Sequence, residues 1–223
     1  MSLSPPSLSH TVTHTHAQLC DPHRIAQVAS RREATGGPGC LVYSVGCGGK
    51  YHLEEGLFDL LGPICEIHVF DPGNFGKERP DLFQNKSKNM HFHKWGFRSS
   101  YDNTYQPVVD YGEFITLEET LVKLGHKDRP IDVFKIDCEF CEWYSFRDWY
   151  KVDIRQLLVE THDLPKHGKQ ALEFFDGFQE QNFYLYHKEP NIHPKASGKG
   201  IEWAYIRLHP DFIKGTNETV TVP

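Results

Sequence analysis

The chain has 223 residues, a formal net charge of −6 at pH 7, and 39% hydrophobic residues. This length is enough for one α/β domain with a substantial buried core. The acidic balance and the lack of a long basic run in the sequence argue against nucleic acid as an obligate partner, because neutralised phosphates supply most nucleic-acid affinity. No apolar run approaches the roughly 20 residues that span a membrane.

The N-terminal part of the sequence differs from the rest in composition. Residues 1–38 show little apolar periodicity and end in Thr-Gly-Gly-Pro-Gly, so we predict a mobile arm with a short helix near residues 22–32. The arm lacks the basic start and apolar core of a signal peptide, and the expected compartment is the cytoplasm. We predict a single domain over residues 39–210, followed by a C-terminal tail over residues 211–223.

Strands and helices are predicted to alternate along this domain. The apolar run at residues 41–45 stops at glycines, which is typical of a buried parallel strand. Residues 52–61 have leucines spaced for one helical face, and Thr116 to Glu119 form a capping box that opens a helix ended by Gly125. A further helix is predicted over residues 170–181. The other predicted strands are residues 66–72, 90–95, 131–137, 156–161, 183–187 and 203–208.

This alternation predicts an α/β fold with a parallel sheet and right-handed crossovers. The last two strands have no clear helix between them, so we expect them to form an antiparallel hairpin on one edge. Ligands of such open sheets bind beyond the carboxyl ends of the strands, where strand order reverses.

The loop after the first strand, at residues 46–49, has the features of a cofactor loop. Gly46, Gly48 and Gly49 let the backbone approach a ligand and leave amide groups free to bind it. Asp71 ends the second strand, where a carboxylate can accept hydrogen bonds from the ribose hydroxyls of an adenosine. Taken separately, the glycines also suit a tight turn, and Asp71 before proline also suits a turn start.

An NAD-linked oxidoreductase is one alternative for this loop. The dinucleotide fingerprint requires a third glycine where helix and strand pack closely. Tyr51 occupies that position here, which disfavours a pyrophosphate-containing cofactor but is compatible with S-adenosylmethionine.

The six cysteines are interpreted mainly as buried, reduced thiols. Four of them lie in or beside predicted core strands, where a free cysteine behaves as a small hydrophobic residue. The Cys138-x-x-Cys141 spacing has no second pair, and zinc sites normally need four ligands, so a structural zinc is not expected.

Several motifs occur together in a fixed order between Cys40 and Leu208. They are Gly46-Cys-Gly-Gly49, Val69-Phe-Asp-Pro72, His93-Lys-Trp-Gly96, the 131–139 segment Ile-Asp-Val-Phe-Lys-Ile-Asp-Cys-Glu, Glu142-Trp143, Leu158-Val-Glu-Thr-His162 and His187-Lys-Glu-Pro-Asn191. With this ordered set of motifs, the chain resembles the methyltransferase-like protein 24 family, a branch close to the FkbM-type methyltransferases. The resemblance implies a Rossmann-like class I methyltransferase with a seven-stranded sheet. It also implies an S-adenosylmethionine site at Gly46, Gly48 and Asp71.

One position departs from the pattern of this family. The fourth strand usually ends in Asp-x-Glu-Gly, and Phe140 stands here in place of the glycine. A phenylalanine at this point is expected to narrow the pocket.

Candidate catalytic residues end the fourth and fifth strands. Asp137 is predicted to contact the amino-acid part of the cofactor or the acceptor, Glu139 is a candidate general base, and His162 is a second candidate base or hydrogen-bond donor. Each also has a structural interpretation: Glu139 as part of a helix cap, for example. The three side chains together suit a divalent ion such as Mg²⁺. Trp95, with Phe97, is a candidate to flank the adenine ring or to fill the core.

The sequence therefore predicts an S-adenosylmethionine-dependent enzyme that methylates a hydroxyl of a small molecule, sugar or lipid. A second hypothesis, based on Phe140, is a catalytically inactive module that binds the same cofactor and acts through interactions.

Overall fold

The computed structural model describes residues 19–61, 64–85, 89–102, 104, 112–192 and 199–208. Seven of its strands form one sheet, and two short ones form another. The strands are β1 (Cys40–Val45), β2 (Cys65–Phe70), β3 (Met90–His93), β4 (Trp95–Phe97), β5 (Glu113–Ile115), β6 (Ile131–Ile136), β7 (Ile154–His162), β8 (Phe183–Pro190) and β9 (Gly200–Arg207).

The large sheet has the strand order β3-β2-β1-β6-β7-β9-β8. Its first five strands in this order run parallel, whereas β9 is antiparallel to both β7 and β8. The prediction of a mostly parallel, seven-stranded, Rossmann-like sheet with an antiparallel edge hairpin is confirmed. The strand order reverses between β1 and β6, so the carboxyl ends of these two strands meet at the place where such sheets bind ligands.

The helices cover the sheet with apolar faces, as their sequence periods predict. In the second helix, Leu53, Leu57 and Leu61 are buried. Thr116 and Glu119 form the predicted capping box of the helix Leu117–Leu124, and Gly125 ends this helix with a positive φ. No helix among the described residues is long and apolar enough to cross a membrane. The α-helices are α1 (Pro22–Ala34), α2 (His52–Leu61), α3 (Pro80–Phe83), α4 (Leu117–Leu124), α5 (Cys141–Trp149) and α6 (Gly168–Glu180).

The short helix predicted near residues 22–32 is present as α1, and polar contacts tie residues 19–38 of the predicted mobile arm to the sheet. Asp21 caps α1, and Arg32 near its end makes two hydrogen bonds of 2.7 and 3.2 Å to the carboxylate of Asp132 at the start of β6. The backbone of Cys20 exchanges two hydrogen bonds with the Gln156 side chain on β7. These long-range polar contacts have no periodic signature in the sequence. Residues 1–18 and the predicted tail at 211–223 lie outside the described residues.

The third predicted strand, residues 90–95, is divided in the structure. β3 ends at His93, and Trp95 begins β4, which pairs with β5 in the small sheet. The reason lies in the neighbouring strand: β2 ends at Phe70, and the backbone N–H of Asp71 makes the last bond, to the carbonyl oxygen of His93. Pro72 has no N–H with which to continue the pairing.

The interpretation of the cysteines as reduced thiols is wrong for four of the six. Cys40 and Cys65 form a disulfide; they are partners in the register of β1 and β2, with Cα atoms 4.3 Å apart. Cys138 and Cys141 form a second disulfide across the turn that opens α5. Both pairings depend on strand register or turn shape, which apolar patterning does not specify.

Candidate active site

The glycine loop leaves β1 at the switch point and is held by both neighbouring strands. The Gly46 amide donates a 2.8 Å hydrogen bond to the carbonyl oxygen of Phe70 on β2. On the other side, the Lys135 ammonium on β6 donates to the carbonyl oxygens of Gly46, at 2.5 Å, and Val45, at 3.2 Å. Gly46 has φ of +78°, and a Cβ atom there would overlap the backbone carbonyl of Asp137. Glycine is therefore required at this position.

Asp71 at the end of β2 binds this loop directly. Its Oδ2 atom accepts hydrogen bonds from the amides of Cys47, at 3.1 Å, and Gly48, at 2.9 Å, and its Oδ1 atom accepts one from Gly73 at 2.8 Å. The residue is only 7% exposed. The loop and the carboxylate thus converge, as the sequence hypothesis requires. A carboxylate has about four acceptor positions, so Oδ1 keeps room for one further donor.

Beside this contact lies a cavity of about 560 Å³. Its volume falls in the range of roughly 300–1,000 Å³ that is usual for small-molecule sites. The lining combines the glycine loop, carboxylates and aromatic rings. Five of the predicted site residues line it, namely Gly46, Gly48, Asp71, Asp137 and Glu139, together with Phe75, Phe97, Phe114 and Phe140 among others.

Three predicted site residues do not line the cavity. Gly49 faces the Phe75 ring, which a Cβ atom would meet at 3.0 Å. The Trp95 ring packs in the core, with its centroid 5.7 Å from that of Phe70. The sequence suggests both Phe97 and Trp95 as candidates to flank an adenine. Phe97 lines the cavity, whereas Trp95 does not. The third predicted site residue that does not line the cavity is His162, which lies behind the cavity wall.

The His162 side chain joins the predicted catalytic residues into one cluster. Its Nδ1 atom lies 2.8 Å from Oε1 of the fully buried Glu142, which also accepts the His162 backbone N–H. Its Nε2 atom lies 3.7 Å from carboxylate oxygens of both Asp137 and Glu139 and 3.8 Å from one of Glu160. The sequence prediction that Asp137, Glu139 and His162 lie together therefore agrees with the geometry.

This arrangement shifts the pKa of the histidine. Burial alone would lower the pKa of His162, but the hydrogen bond to Glu142 and the nearby carboxylates outweigh it and raise the pKa to about 9. The raised pKa favours the protonated ring at neutral pH, in which Nδ1–H donates to Glu142 and Nε2 has only charge contacts with the other carboxylates. The sequence suggests two roles for His162, a general base and a hydrogen-bond donor. The raised pKa favours the donor.

Three residues of this cluster were not found by sequence reasoning. Glu142 and Glu160 occur in the quoted motifs but were given no role, and Glu202 was not considered. Strand alternation puts Glu160 on the same face of β7 as His162. Glu202 on β9 is the register partner of Glu160. Burial and the neighbouring Glu160 raise the pKa of Glu202 to about 8. The position of Glu160 could be predicted from strand alternation in the sequence. The position of Glu202 could not, because it depends on which strand pairs with β7.

The possible divalent-ion site differs from the predicted one in a single member. Asp137, Glu160 and His162 offer ligand atoms that lie within 4.8 Å of one another, and Glu139 is not in this set. The Glu139 side chain is 74% exposed, whereas the side chain of Glu160 is buried and points at the histidine.

Phe140, which stands where the resemblance leads one to expect glycine, has a backbone suited to glycine. Its φ is +81°, and the preceding Glu139 also has a positive φ, of +51°. Side chains other than glycine adopt this region at a cost of roughly 1–2 kcal/mol. The Phe140 ring lines the cavity and lies 5.6 Å from the ring of His162. The turn shape is therefore retained, and the cavity wall gains an aromatic ring. The helix-capping role considered for Glu139 is not seen, because α5 begins without a side-chain cap.

The fold and the loop geometry define a Rossmann-like domain with a cavity of small-molecule size at its switch point. The family described as "Methyltransferase domain" matches residues 13–207 of the chain. The protein belongs to this methyltransferase family, and the alternative of an NAD-linked oxidoreductase is thereby overturned.

Solved structures with similar folds include several methyltransferases. The fibrillarin of Aeropyrum pernix, solved with natively bound S-adenosyl-L-methionine, is 9% identical with a TM-score of 0.48; the match covers 89% of this chain and 85% of that one. The N-methyltransferase NodS of Bradyrhizobium japonicum, solved with S-adenosyl-L-homocysteine, is 9% identical with a TM-score of 0.43, covering 84% of this chain and 87% of that one. Similarities this distant do not bear on the substrate of this chain.

Proposed function

We propose that the protein transfers a methyl group from S-adenosylmethionine to a hydroxyl of a small molecule, sugar or lipid. The observation that carries the proposal is the direct contact of Asp71 with the Gly46–Gly49 loop at the edge of a cavity. The same cavity is lined by Asp137 and Glu139, which follow β6 on the other side of β1 from Asp71. The part of the cavity beside Asp71 and the glycine loop thus suits an adenosyl group. The part beside Asp137 and Glu139 suits an acceptor with an exchangeable proton.

The residues fit the cofactor in three respects. A Cβ atom on Gly48 would meet nothing within 4 Å, so the loop leaves open space at this point. The remaining acceptor position on Asp71 suits a ribose hydroxyl. The rings of Phe75 and Phe97 line the same cavity and offer flat apolar surfaces for an adenine.

Two residues are assigned to the transfer itself. When bound, S-adenosylmethionine supplies a methyl group already activated by its sulfonium, so the protein has to align the acceptor and remove its proton. Asp137, held between Lys135 and His162 at 3.7 Å from each, orients the acceptor. Glu139, exposed at the cavity wall, takes the proton. His162 is a positioning residue, with Nε2 3.7 Å from a carboxylate oxygen of both Asp137 and Glu139.

The charge of the site favours a neutral acceptor. The carboxylates of Asp137, Glu139 and Glu160 would repel a phosphate-bearing substrate, in line with the expectation that nucleic acid is not an obligate partner. If the enzyme needs a divalent ion such as Mg²⁺, Asp137, Glu160 and His162 would hold it, with Nε2 of His162 deprotonated. The ion would lower the pKa of a bound hydroxyl.

Ligand binding and methyl transfer test this proposal. We expect S-adenosylhomocysteine and S-adenosylmethionine, but not NAD, to raise the melting temperature, because a ligand of the native state stabilises it. Labelled methyl should pass to small molecules of a cell extract, and Glu139→Gln should lower the rate by about 100-fold or more. S-adenosylhomocysteine affinity should be unchanged in this variant, and Glu118→Gln on α4 is the control.

Each outcome separates the hypotheses. Binding without transfer to any extract component, with or without magnesium, would favour the inactive module. If neither adenosyl compound binds, the cofactor assignment is wrong.

The disulfides bear on the compartment, for which the sequence analysis expects the cytoplasm. Disulfides persist in oxidising compartments and are rare in the cytosol. Cys138 and Cys141 line the cavity, so their oxidation state also affects the proposed site. We therefore propose an oxidising compartment in place of the cytoplasm.

Thiol counting tests the pairing. We expect an alkylating reagent to label two cysteines of the unfolded, unreduced protein, Cys20 and Cys47, and all six after reduction. Peptide mass spectrometry should identify the Cys40–Cys65 and Cys138–Cys141 pairs. Labelling of all six before reduction, in protein isolated from its natural compartment with thiols blocked at lysis, would restore the cytoplasmic expectation.

A further inference from the structure

A second cluster of ligating side chains lies on the other half of the sheet. Glu66 and His68 are two residues apart on β2, so they share one face of the strand. His91 on β3 is the register partner of His68, and His126 follows the end of α4. Among the described residues, none of these four lines the cavity of the proposed active site.

Ligand atoms of Glu66, His68 and His91 lie within 4.8 Å of one another, and His126 approaches the same carboxylate. Oε1 of Glu66 lies 2.9 Å from Nε2 of His68, 3.8 Å from Nε2 of His126 and 4.0 Å from Nε2 of His91. Ligand atoms around a tetrahedral zinc ion with bonds of about 2.0–2.1 Å are separated by roughly 3.3 Å. The observed separations lie on both sides of that value. We propose that Glu66, His68, His91 and His126 bind one Zn²⁺ ion.

The other nitrogens of the two buried rings are held as metal-binding histidines require. Nδ1 of His68 lies 2.7 Å from Nε2 of His93, and Nδ1 of His126 lies 2.8 Å from the hydroxyl of Tyr43. Each Nδ1–H can donate to this partner, which leaves the Nε2 lone pair free for the metal. Metal-ligating histidines almost always have such an outer hydrogen bond.

The carboxylate is held in the same way. Arg129 donates to Oε2 of Glu66 at 2.6 Å, so Oε1 faces the three imidazoles. His91 completes the set from the surface: its side chain is 45% exposed, whereas those of His68 and His126 are about 5% exposed. Its Nε2 has a long contact of 3.3 Å with the side-chain oxygen of Asn89. His91 thus marks the side from which the ion enters.

The donor set distinguishes zinc from harder ions. Three imidazoles and one carboxylate suit Zn²⁺, whereas Mg²⁺ and Ca²⁺ prefer oxygen ligands. With four protein ligands the site has the closed form of a structural zinc site. It would tie β2, the edge strand β3 and the end of α4 together. The proposed set contains no cysteine, and it departs from the sequence expectation, which considered cysteine spacing.

Metal titration of the full chain tests the proposal. The variant H10A/H14A/H16A serves as the background, because these N-terminal histidines could bind zinc themselves. After treatment with a chelator, one Co²⁺ ion per chain should give the intense visible absorption of a four-coordinate site, and Zn²⁺ should displace it. We expect His91→Ala to weaken Zn²⁺ binding by about tenfold or more, and His52→Ala, another exposed histidine, to leave it unchanged.

Two further measurements keep the result clear. His162→Gln should retain the Co²⁺ spectrum, because it removes a ligand only from the acidic cluster at the other site. Circular dichroism of the metal-free His91→Ala protein shows whether it has folded. A spectrum of six-coordinate Co²⁺, or equal zinc affinities of His91→Ala and His52→Ala, would overturn the proposal.

Discussion

Replacing Asp71 with alanine is expected to abolish measurable binding of S-adenosylhomocysteine and to lower stability. The variant leaves the amides of Cys47, Gly48 and Gly73 without their acceptor. An unsatisfied buried donor costs about 1–3 kcal/mol, so we expect a loss of about 3 kcal/mol or more in the free energy of unfolding. The loop also loses the contact that fixes its shape beside the cavity.

Asp71→Asn separates the two effects. The amide keeps the size of the side chain and one acceptor oxygen, so it should fold better than the alanine variant. Hydrogen bonds to charged groups contribute about 1.5–3 kcal/mol, so its affinity for S-adenosylhomocysteine should fall by roughly 10–100-fold. Calorimetric titration and urea unfolding measure both quantities. The control is Asp153→Asn, an exposed carboxylate paired with Arg155. Undiminished affinity in Asp71→Ala would show that the cofactor binds elsewhere.

The features that sequence predicted well depend on short-range patterns. Apolar runs identified the parallel strands, and leucine spacing identified α2. The glycines after β1 and the aspartate after β2 follow directly from strand ends, so their convergence could be predicted once the two strands were taken as parallel neighbours. Five predicted site residues line the cavity for this reason.

The features that sequence missed depend on contacts between distant segments. Arg32 anchors α1 through Asp132, about a hundred positions along the chain, and a polar pair of this kind leaves no periodic pattern. The Cys40–Cys65 bond likewise depends on the register of two strands. Glu202 enters the active-site cluster only because β9 pairs antiparallel with β7.

Trp95 illustrates a different limit. Its position after a predicted strand suggested a cofactor contact, but the strand leaves the main sheet at this point. The indole then packs into the core, where Lys123 lies 4.3 Å from the ring centroid. Phe97, two residues later, reaches the cavity. Sequence could indicate that an aromatic residue was available, but which ring faces the ligand depends on the course of the backbone.

Three glycine variants separate the loop's structural role from its binding role. Gly46, Gly48 and Gly125 all have positive φ, of +78°, +52° and +73°. An alanine at any of them adopts the left-handed region at a cost of roughly 1–2 kcal/mol. Only at Gly46 would the new Cβ also overlap rigid backbone, the carbonyl of Asp137; at the other two positions it meets nothing within 4 Å.

Gly46→Ala should therefore be the most destabilising of the three. We expect a loss of more than about 3 kcal/mol, which corresponds to a fall of roughly 6–12 °C in melting temperature for a domain of this size. Gly48→Ala and Gly125→Ala should lose similar, smaller amounts. These two differ in position, because Gly48 lines the cavity and Gly125 ends α4. Gly48→Ala should weaken S-adenosylhomocysteine binding, whereas Gly125→Ala should not. Equal stabilities for the Gly46 and Gly48 variants would mean that the loop can move away from β6, and then Lys135 and Asp137 would not define the site as the structure shows it.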